Sequence, residues 1–289
     1  MKRKKPLQDI LIVIILLIAV VILFCWYTAQ NSARMEQRNK NYAADSARQT
    51  MTQISEKMDN AQALIATYAH FVGEGLSEPV ITEQMLQEIE RNALFDAILY
   101  TDSSGMGYTS DGRTADDSGR EFYLNGMRGE SGIAVVFDSY FFDETMMTFY
   151  TPVRYQGEII GVLRGSYLAE EYLKDMLATT YFGEAADVYL CMSNGRVIAS
   201  SNGNIYENNL IDMLVESNVI DSQAANDTKG IFIHGGEGSF LCKSGCKTDN
   251  ICATHLLNRD FVLVQTFPKS VTQRMIRDEY LVGIRLEAM

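Results

Sequence analysis

The sequence predicts an α+β protein in which a membrane-anchored helix precedes two similar modules built on antiparallel sheets. Three observations indicate this. Residues 10–27 are apolar and uncharged, residues 34–72 contain neither glycine nor proline, and one strand–turn–strand pattern occurs at both 95–112 and 186–203. Because 47% of the 289 residues are hydrophobic and only 21% are charged, the chain can form packed cores. Its length suits about two ordinary domains.

Residues 10–27 are predicted to be a transmembrane helix. The run holds eighteen residues without a charge, and a helix needs roughly 20 residues, rising about 1.5 Å each, to cross a bilayer. Segment 1–9 is basic, and Trp26 and Tyr27 close the run, so the positive-inside rule places 1–9 in the cytoplasm and the bulk of the chain outside the cell membrane. A cleaved signal peptide is the alternative, although its apolar run usually has about 7–15 residues.

The charge balance excludes one class of partner. The formal net charge is −12, and the basic segment 1–9 makes the remainder still more acidic. Because phosphate contacts need a basic face, we expect no nucleic-acid partner.

Residues 28–75 are predicted to form a stalk helix that ends at Gly73 and Gly75. Apolar residues recur at alternating spacings of three and four, as in a heptad seam: Ala44, Ala47, Met51, Ile54, Met58, Ala61, Ile65, Tyr68 and Val72. This seam has two interpretations, a homodimer contact of a signalling stalk or packing against the protein's own sheets.

The remainder is predicted to contain two similar modules. In each, strand, turn and strand are followed by a helical stretch and a hairpin, at 145–165 and again at 250–267. Gly235–Gly238 is predicted to be a hairpin turn between β-rich runs 230–234 and 239–243. The predicted segments are a membrane-distal module at 76–167, an amphipathic linking helix at 168–181, a membrane-proximal module at 182–268, and at 269–289 a C-terminal helix leading to a missing second transmembrane helix.

Three stretches resemble a known family: 119–132 (GREFYLNGMRGESG), 149–163 (FYTPVRYQGEIIGVL) and 182–201 (FGEAADVYLCMSNGRVIASS). They are similar to the double Cache domain, a tandem PAS-like extracytoplasmic sensor of bacterial transmembrane signal transducers. Within this family, the three stretches are most similar to Cache regions that precede GGDEF diguanylate cyclase domains. The resemblance implies the input region of a signal transducer, with any cyclase in a missing C-terminal part.

The resemblance leaves other functions open. A histidine kinase or chemoreceptor output fits the same input region, and so does a membrane-anchored interaction protein with an empty pocket. The sequence contains no GxSxG, HExxH, CxxCH or kinase motif, so we expect no enzyme activity in this chain.

A ligand site is predicted around Arg120. Ser118 and Glu121 fit a capping box that would begin a helix at this point, and an arginine beside free helix N–H groups suits a carboxylate. In the family's amino-acid-binding subset, an Arg is followed by one residue and two aromatics, matched here by Arg120, Phe122 and Tyr123.

Two departures from that subset change the expected ligand. Its tyrosine five residues before the Arg is replaced by Ala115, and its amine-binding aspartate after the hairpin by Ser166. We therefore expect a small polar or anionic ligand, a carboxylate in preference to an α-amino acid. The alternative is that Arg120 is a solvated arginine in a module that binds nothing. Further candidates for the pocket wall are Tyr100, Tyr140, Tyr150 and Ser166.

Four cysteines lie beyond the predicted anchor: Cys191, Cys242, Cys246 and Cys252. An even number in an exported region favours a disulfide among the last three, whereas buried thiols are the alternative. His234 and His255 lie nearby, but the cysteine spacing matches no standard zinc motif. We therefore predict neither a metal nor another cofactor.

Overall fold

The computed structural model describes residues 5–75, 77–178, 186–203, 209–242, 245–255 and 260–268. Predicted segment 269–289 lies outside these ranges, as do parts of 1–9, 168–181 and 182–268. The elements within the ranges are α1 (Lys5–Gly75), α2 (Glu83–Ala93), β1 (Ala97–Asp102), β2 (Met106–Thr109), β3 (Thr114–Asp116), α3 (Glu121–Met127), β4 (Gly132–Val136), β5 (Met146–Tyr155), β6 (Glu158–Leu168), α4 (Ala169–Ala178), β7 (Asp187–Met192), β8 (Val197–Ser200), α5 (Leu210–Glu216), α6 (Ser222–His234), β9 (Glu237–Leu241), β10 (Thr248–His255) and β11 (Phe261–Pro268).

Helix α1 is the spine of the fold. It packs against β5 of the first sheet and against β9 and β10 of the second. Its buried apolar side chains recur three or four residues apart, so they share one face: Ala43, Ala47, Met51, Ile54, Met58, Ala61, Ile65 and Ala69. The seam is therefore packed against the protein's own sheets. Among the described residues, no helix combines the length and the apolar composition that crossing a membrane requires.

The distal sheet has the antiparallel order β3-β2-β1-β6-β5-β4. Its longest strands, β5 and β6, pair from Met146↔Leu168 to Tyr155↔Glu158, with a register shift between Val153 and Arg154. Gln156 and Gly157 close this hairpin with φ values of 51° and 90°, which is the backbone that a two-residue primed turn needs and glycine adopts readily. Helices α1 and α2 pack on one face of the sheet and α3 on the other.

The proximal sheet has the order β8-β7-β11-β10-β9, which repeats the distal order without β3. Helices α5 and α6 cover the face opposite α1. Asn209 caps α5 by accepting from the Ile211 N–H at 3.0 Å. Asp221 caps α6 by accepting from the Gln223 and Ala224 N–H groups, as preferred N-cap residues do. Two antiparallel modules in an α+β chain confirm the predicted fold class.

Helix α4 links the modules and is held to α1 by a reciprocal contact. Tyr172 Oη donates to the Lys57 carbonyl oxygen at 2.8 Å, and Lys57 Nζ donates to the Tyr172 carbonyl oxygen. The same ammonium lies 4.2 Å from the centroid of the Tyr172 ring, within range of a cation–π interaction. This contact fixes the linking helix to the spine.

Two sequence predictions differ from the structure. Run 230–234 is the last turn of α6, with Gly235 as its C-cap, and is not a strand. Cys25, Cys191, Cys242, Cys246 and Cys252 are present as thiols, so no disulfide joins the described residues. Cys191 and Cys252 lie on opposite faces of the proximal sheet, one facing α5 and α6 and the other facing α1, so a bridge between them is sterically impossible.

Candidate functional site

A pocket in the distal module, here called the distal pocket, lies on the sheet face opposite α1. Leu99 of β1, Met146 and Thr148 of β5, and Arg164 and Ser166 of β6 form its floor. These positions alternate along each strand, so their side chains point to one face. Phe122 of α3 forms a wall, and residues 139–142 cover the opening.

A buried ion pair lies at the base of the distal pocket. Arg164 and Asp117 are 5% and 2% exposed, and Arg164 Nη2 donates to Asp117 Oδ2. Thr101 Oγ1 donates to the same carboxylate oxygen at 3.0 Å and accepts from Arg164 Nη2 at 3.3 Å. Any side chain at Gly107 would place its Cβ 2.3 Å from Asp117 Oδ2, so the glycine is needed for this approach.

The guanidinium of Arg164 is only partly satisfied. Its Nε is buried and has no hydrogen-bond partner, whereas its Cζ lies 4.2 Å above the Phe122 ring centroid. The pKa of Arg164 is lowered to about 10, mainly by burial; Asp117 opposes this shift and Arg120 adds to it. The side chain therefore stays charged at neutral pH, and its buried Nε–H is left for another acceptor.

Two hydroxyl groups lie on the floor of the distal pocket. Thr148 and Ser166 are paired across β5 and β6, and their Oγ atoms are 2.9 Å apart. Both side chains are buried. Ser166, which stands where the family's amino-acid-binding subset has an aspartate, therefore carries a neutral hydroxyl that is paired with Thr148.

The predicted capping box at Ser118 is wrong. Helix α3 begins at Glu121, and Arg120 is its N-cap, without a side-chain cap bond. Asp117 and Arg120 close a turn instead, since the Arg120 N–H donates to the Asp117 carbonyl oxygen at 2.8 Å. The physical reason is the ion pair, because it buries Asp117 and holds the chain in a turn where the helix would otherwise begin.

Residues 137–145, here called the strap, cover the distal pocket. Arg120 Nη2 donates to the Asp138 carbonyl oxygen at 3.0 Å, and its Cζ lies 4.6 Å from the Tyr140 ring centroid. On the other side, Arg113 Cζ lies 5.1 Å from the Phe141 ring centroid. The cavity beneath has a volume of about 20 Å³, which suits one water molecule. The distal pocket therefore has room for little more than one water molecule in this structure.

The structure brings together four of the seven predicted site residues. Arg120, Phe122, Tyr140 and Ser166 line the distal pocket. Tyr123 packs beside Phe122 and donates its hydroxyl to the Ser103 carbonyl oxygen at 3.1 Å. Tyr150 belongs to the same cluster behind Phe122. Tyr100 faces α1, on the sheet face opposite the distal pocket, and its hydroxyl donates to the Ile160 carbonyl oxygen at 2.8 Å.

Sequence reasoning missed Arg164, Asp117 and Thr148. A signal existed for Arg164, since alternation along β6 puts it on the same face as Val162 and Ser166, in the middle of an otherwise apolar strand. Asp117 lies 47 residues away in sequence, and no local pattern pairs the two. Among the described residues, no group of three metal-ligating side chains occurs.

The same fold occurs in sensory domains of bacterial chemoreceptors. The ligand-binding domain of Pseudomonas fluorescens CtaA, in complex with L-isoleucine, gives a TM-score of 0.63 at 15% identity, covering 86% of this chain and 99% of that one. The sensory domain of Campylobacter jejuni Tlp3 with isoleucine bound gives 0.59 at 14%, covering 85% and 97%. That of Pseudomonas aeruginosa PctC, in complex with GABA, gives 0.59 at 14%, covering 79% and 100%.

These neighbours are double Cache domains, so the predicted double Cache fold is confirmed. No family model matches the sequence, and no curated protein matches it. The neighbours are sensory or ligand-binding domains, and no GxSxG, HExxH, CxxCH or kinase motif occurs in this sequence.

Proposed function

We propose that this chain is the extracytoplasmic input domain of a bacterial signal transducer and that its distal pocket binds a small carboxylate. The observation that carries the proposal is the buried Nε of Arg164, which lacks a partner in a pocket. A buried donor without an acceptor costs free energy, and a ligand carboxylate would supply the acceptor.

The charges of the distal pocket favour an anion. Arg120 and Arg164 face a single carboxylate, Asp117, so one negative charge completes the balance. The neighbours bind isoleucine, L-serine and GABA, ligands that carry an ammonium group. Here Ser166 and Thr148 offer only hydroxyl groups, and Asp117 is already engaged by Arg164. An acid that lacks an amine fits this set better than an amino acid.

Ligand entry requires the strap to open, because the present cavity holds about one water molecule. Arg120 both lines the pocket and binds the strap through Asp138. A carboxylate that takes over this guanidinium changes the contacts of the strap. Binding shifts the open and closed populations only by its differential affinity for them.

The remaining assignments extend the proposal to the membrane and the output. We propose residues 10–27 as the membrane anchor, supported by the uncharged run and by apolar side chains such as Leu17 and Phe24, which are 64% and 66% exposed. Since the seam from Ala43 to Ala69 is occupied by the protein's own sheets, we place the proposed homodimer contact at 28–42. The output is a diguanylate cyclase, with a chemoreceptor output as the alternative that fits the neighbours.

A thermal-shift screen of the full chain in detergent tests the ligand class. Carboxylates, amino acids, amines and sugars are compared on the parent, on Arg120→Ala and on the matched control Arg91→Ala, whose side chain is exposed on α2. A ligand at 100 times its Kd adds about 2.7 kcal/mol. We expect a carboxylate to stabilise the parent and the control but not Arg120→Ala. Stabilisation by amines alone, or by no compound, would refute the proposal.

A further inference from the structure

An open cleft separates the distal module from the proximal module. Its volume is about 900 Å³, within the range of ordinary ligand sites and far larger than the distal pocket. Strand β4 forms one wall, and Met192 and Phe261 of the proximal module lie opposite. Gln62 of α1 also lines the cleft.

The cleft runs along the backbone edge of β4. All residues from 131 to 138 line it, whereas one face of a strand would contribute only alternate residues. Strand β4 is the last strand of its sheet, and among the described strands it pairs only with β5. Its outer N–H and C=O groups therefore face the cleft rather than another strand.

This edge lacks the protection that the other sheet edges have. Of the other three edge strands, β3 has only three residues and ends at Asp116, and β8 is covered by α4. The third, β9, carries Glu237, which accepts a hydrogen bond from Arg48 Nε of α1 at 2.9 Å. Strand β4 reads Gly-Ile-Ala-Val-Val, without charge or proline, and its pairing with β5 contains no bulge. In natural proteins an exposed edge strand is usually protected by short length, by a charged residue or proline, by a bulge, or by a helix or loop that covers it.

The side chains around the edge indicate what covers it. Glu121, Asp138 and Asp260 line the cleft together with one basic residue, Arg120. Arg196 lies close by, with its Cζ 3.6 Å from the ring centroid of the lining residue Phe137. The carboxylates therefore outnumber the guanidinium groups, and the charge around the cleft is negative. Gln62 Nε2 donates to the Tyr150 carbonyl oxygen at 3.1 Å, while its Oε1 is buried and without a partner. A ligand that complements these groups carries positive charge and N–H donors.

We propose that the cleft binds a short, extended, basic peptide, which adds to the distal sheet as a seventh strand beside β4. Main-chain hydrogen bonds to the strand edge give affinity in this mode, and alternate side chains give specificity. The five residues of β4 span roughly 17 Å, enough for a peptide of about five residues. The cleft adjoins the distal pocket and shares Arg120, Phe122 and Val136 with its lining, but it differs in charge preference.

Calorimetric titration of the full chain in detergent tests the proposal. The probe is Lys-Val-Lys-Val-Lys with a C-terminal amide, so that it carries no carboxylate for the distal pocket. A second peptide has alternate backbone nitrogens methylated, and a third has glutamate in place of each lysine. We expect the methylated peptide to bind about tenfold more weakly, since it loses at least two main-chain hydrogen bonds, and the acidic peptide not to bind.

Variants locate the site. Glu121→Gln and Asp260→Asn should each weaken binding of the basic peptide by up to about fivefold at low salt, whereas Glu158→Gln, an exposed acid at the start of β6, should not. Both acids are exposed, so these variants keep the fold. Equal binding of the parent and methylated peptides, no binding of the basic peptide, or a dimer that pairs two β4 edges would overturn the proposal. Because the basic peptide carries no carboxylate and none of these variants changes Arg120 or Arg164, a failure of peptide binding would leave the carboxylate proposal standing.

Discussion

Gln265 is a buried carboxamide that we expect to destabilise the protein. It is 0% exposed, and neither its Nε2 nor its Oε1 has a hydrogen-bond partner. On β11 it alternates with Leu263 and Phe267, which belong to the core cluster under α1. A buried polar group left unsatisfied costs about 1–3 kcal/mol, so replacing it with an unbranched apolar side chain of similar size removes that cost.

The variant is Gln265→Met, and the expected gain is about 2 kcal/mol in the free energy of unfolding. For a protein of this size, 1 kcal/mol corresponds to about 2–4 °C in Tm, which gives a rise of about 4–8 °C. Thermal and urea unfolding of the full chain in detergent, followed by circular dichroism, measure it. The matched control is Gln53→Met on the exposed face of α1, for which we expect a change within about 0.5 kcal/mol.

An unchanged or lower Tm for Gln265→Met would refute this reasoning. That result would mean that the carboxamide is satisfied in solution, by a bound water or by a different packing of α1 on the proximal sheet. An equal rise in the Gln53→Met control would instead show that the methionine itself stabilises the chain.

Three further predictions concern the ion pair, the thiols and one helix cap. Arg164→Met alone leaves Asp117 buried without its partner and should cost about 3–5 kcal/mol, whereas Arg164→Met with Asp117→Asn should recover most of it in urea unfolding. Burial raises the pKa of the Cys252 thiol to about 12 and raises that of Cys191 as well. Neither should react with a thiol reagent at pH 8 before the protein unfolds, and fast labelling of the native protein would contradict this. Asp221→Ala removes the cap of α6 and should lower stability by about 1 kcal/mol; an unchanged urea midpoint would show that the cap contributes nothing.

Elements with strong periodicity could be predicted from the sequence. The spacing of apolar residues indicates the long helix that became α1, and the amphipathic pattern after residue 168 indicates α4 at Ala169–Ala178. The duplicated strand–turn–strand pattern corresponds to β1 with β2 and β7 with β8. These features depend on neighbours in sequence, so local rules suffice.

Other features depend on contacts that no local pattern contains. Run 230–234 is short and apolar, and such a run can be the end of a helix as well as a strand. Because it continues the helix that Asp221 caps, it forms the last turn of α6. The start of α3 was misplaced because Asp117, directly after β3, is held by Arg164 of β6, three strands away in the sheet. Of the predicted site residues, Arg120, Phe122, Tyr140 and Ser166 line the distal pocket, whereas the pairing of Asp117 with Arg164 depends on a contact between distant segments of the chain.

The single helix α1 has a mechanical consequence. Its 71 residues, at about 1.5 Å each, form a stiff rod roughly 106 Å long. Gln62, which lines the cleft, and Lys57, which holds the linking helix, lie five residues apart on it, or roughly 7.5 Å. An axial movement of one is therefore an axial movement of the other. Whatever displaces the rod at the cleft therefore also displaces α4 and the N-terminal end of α1.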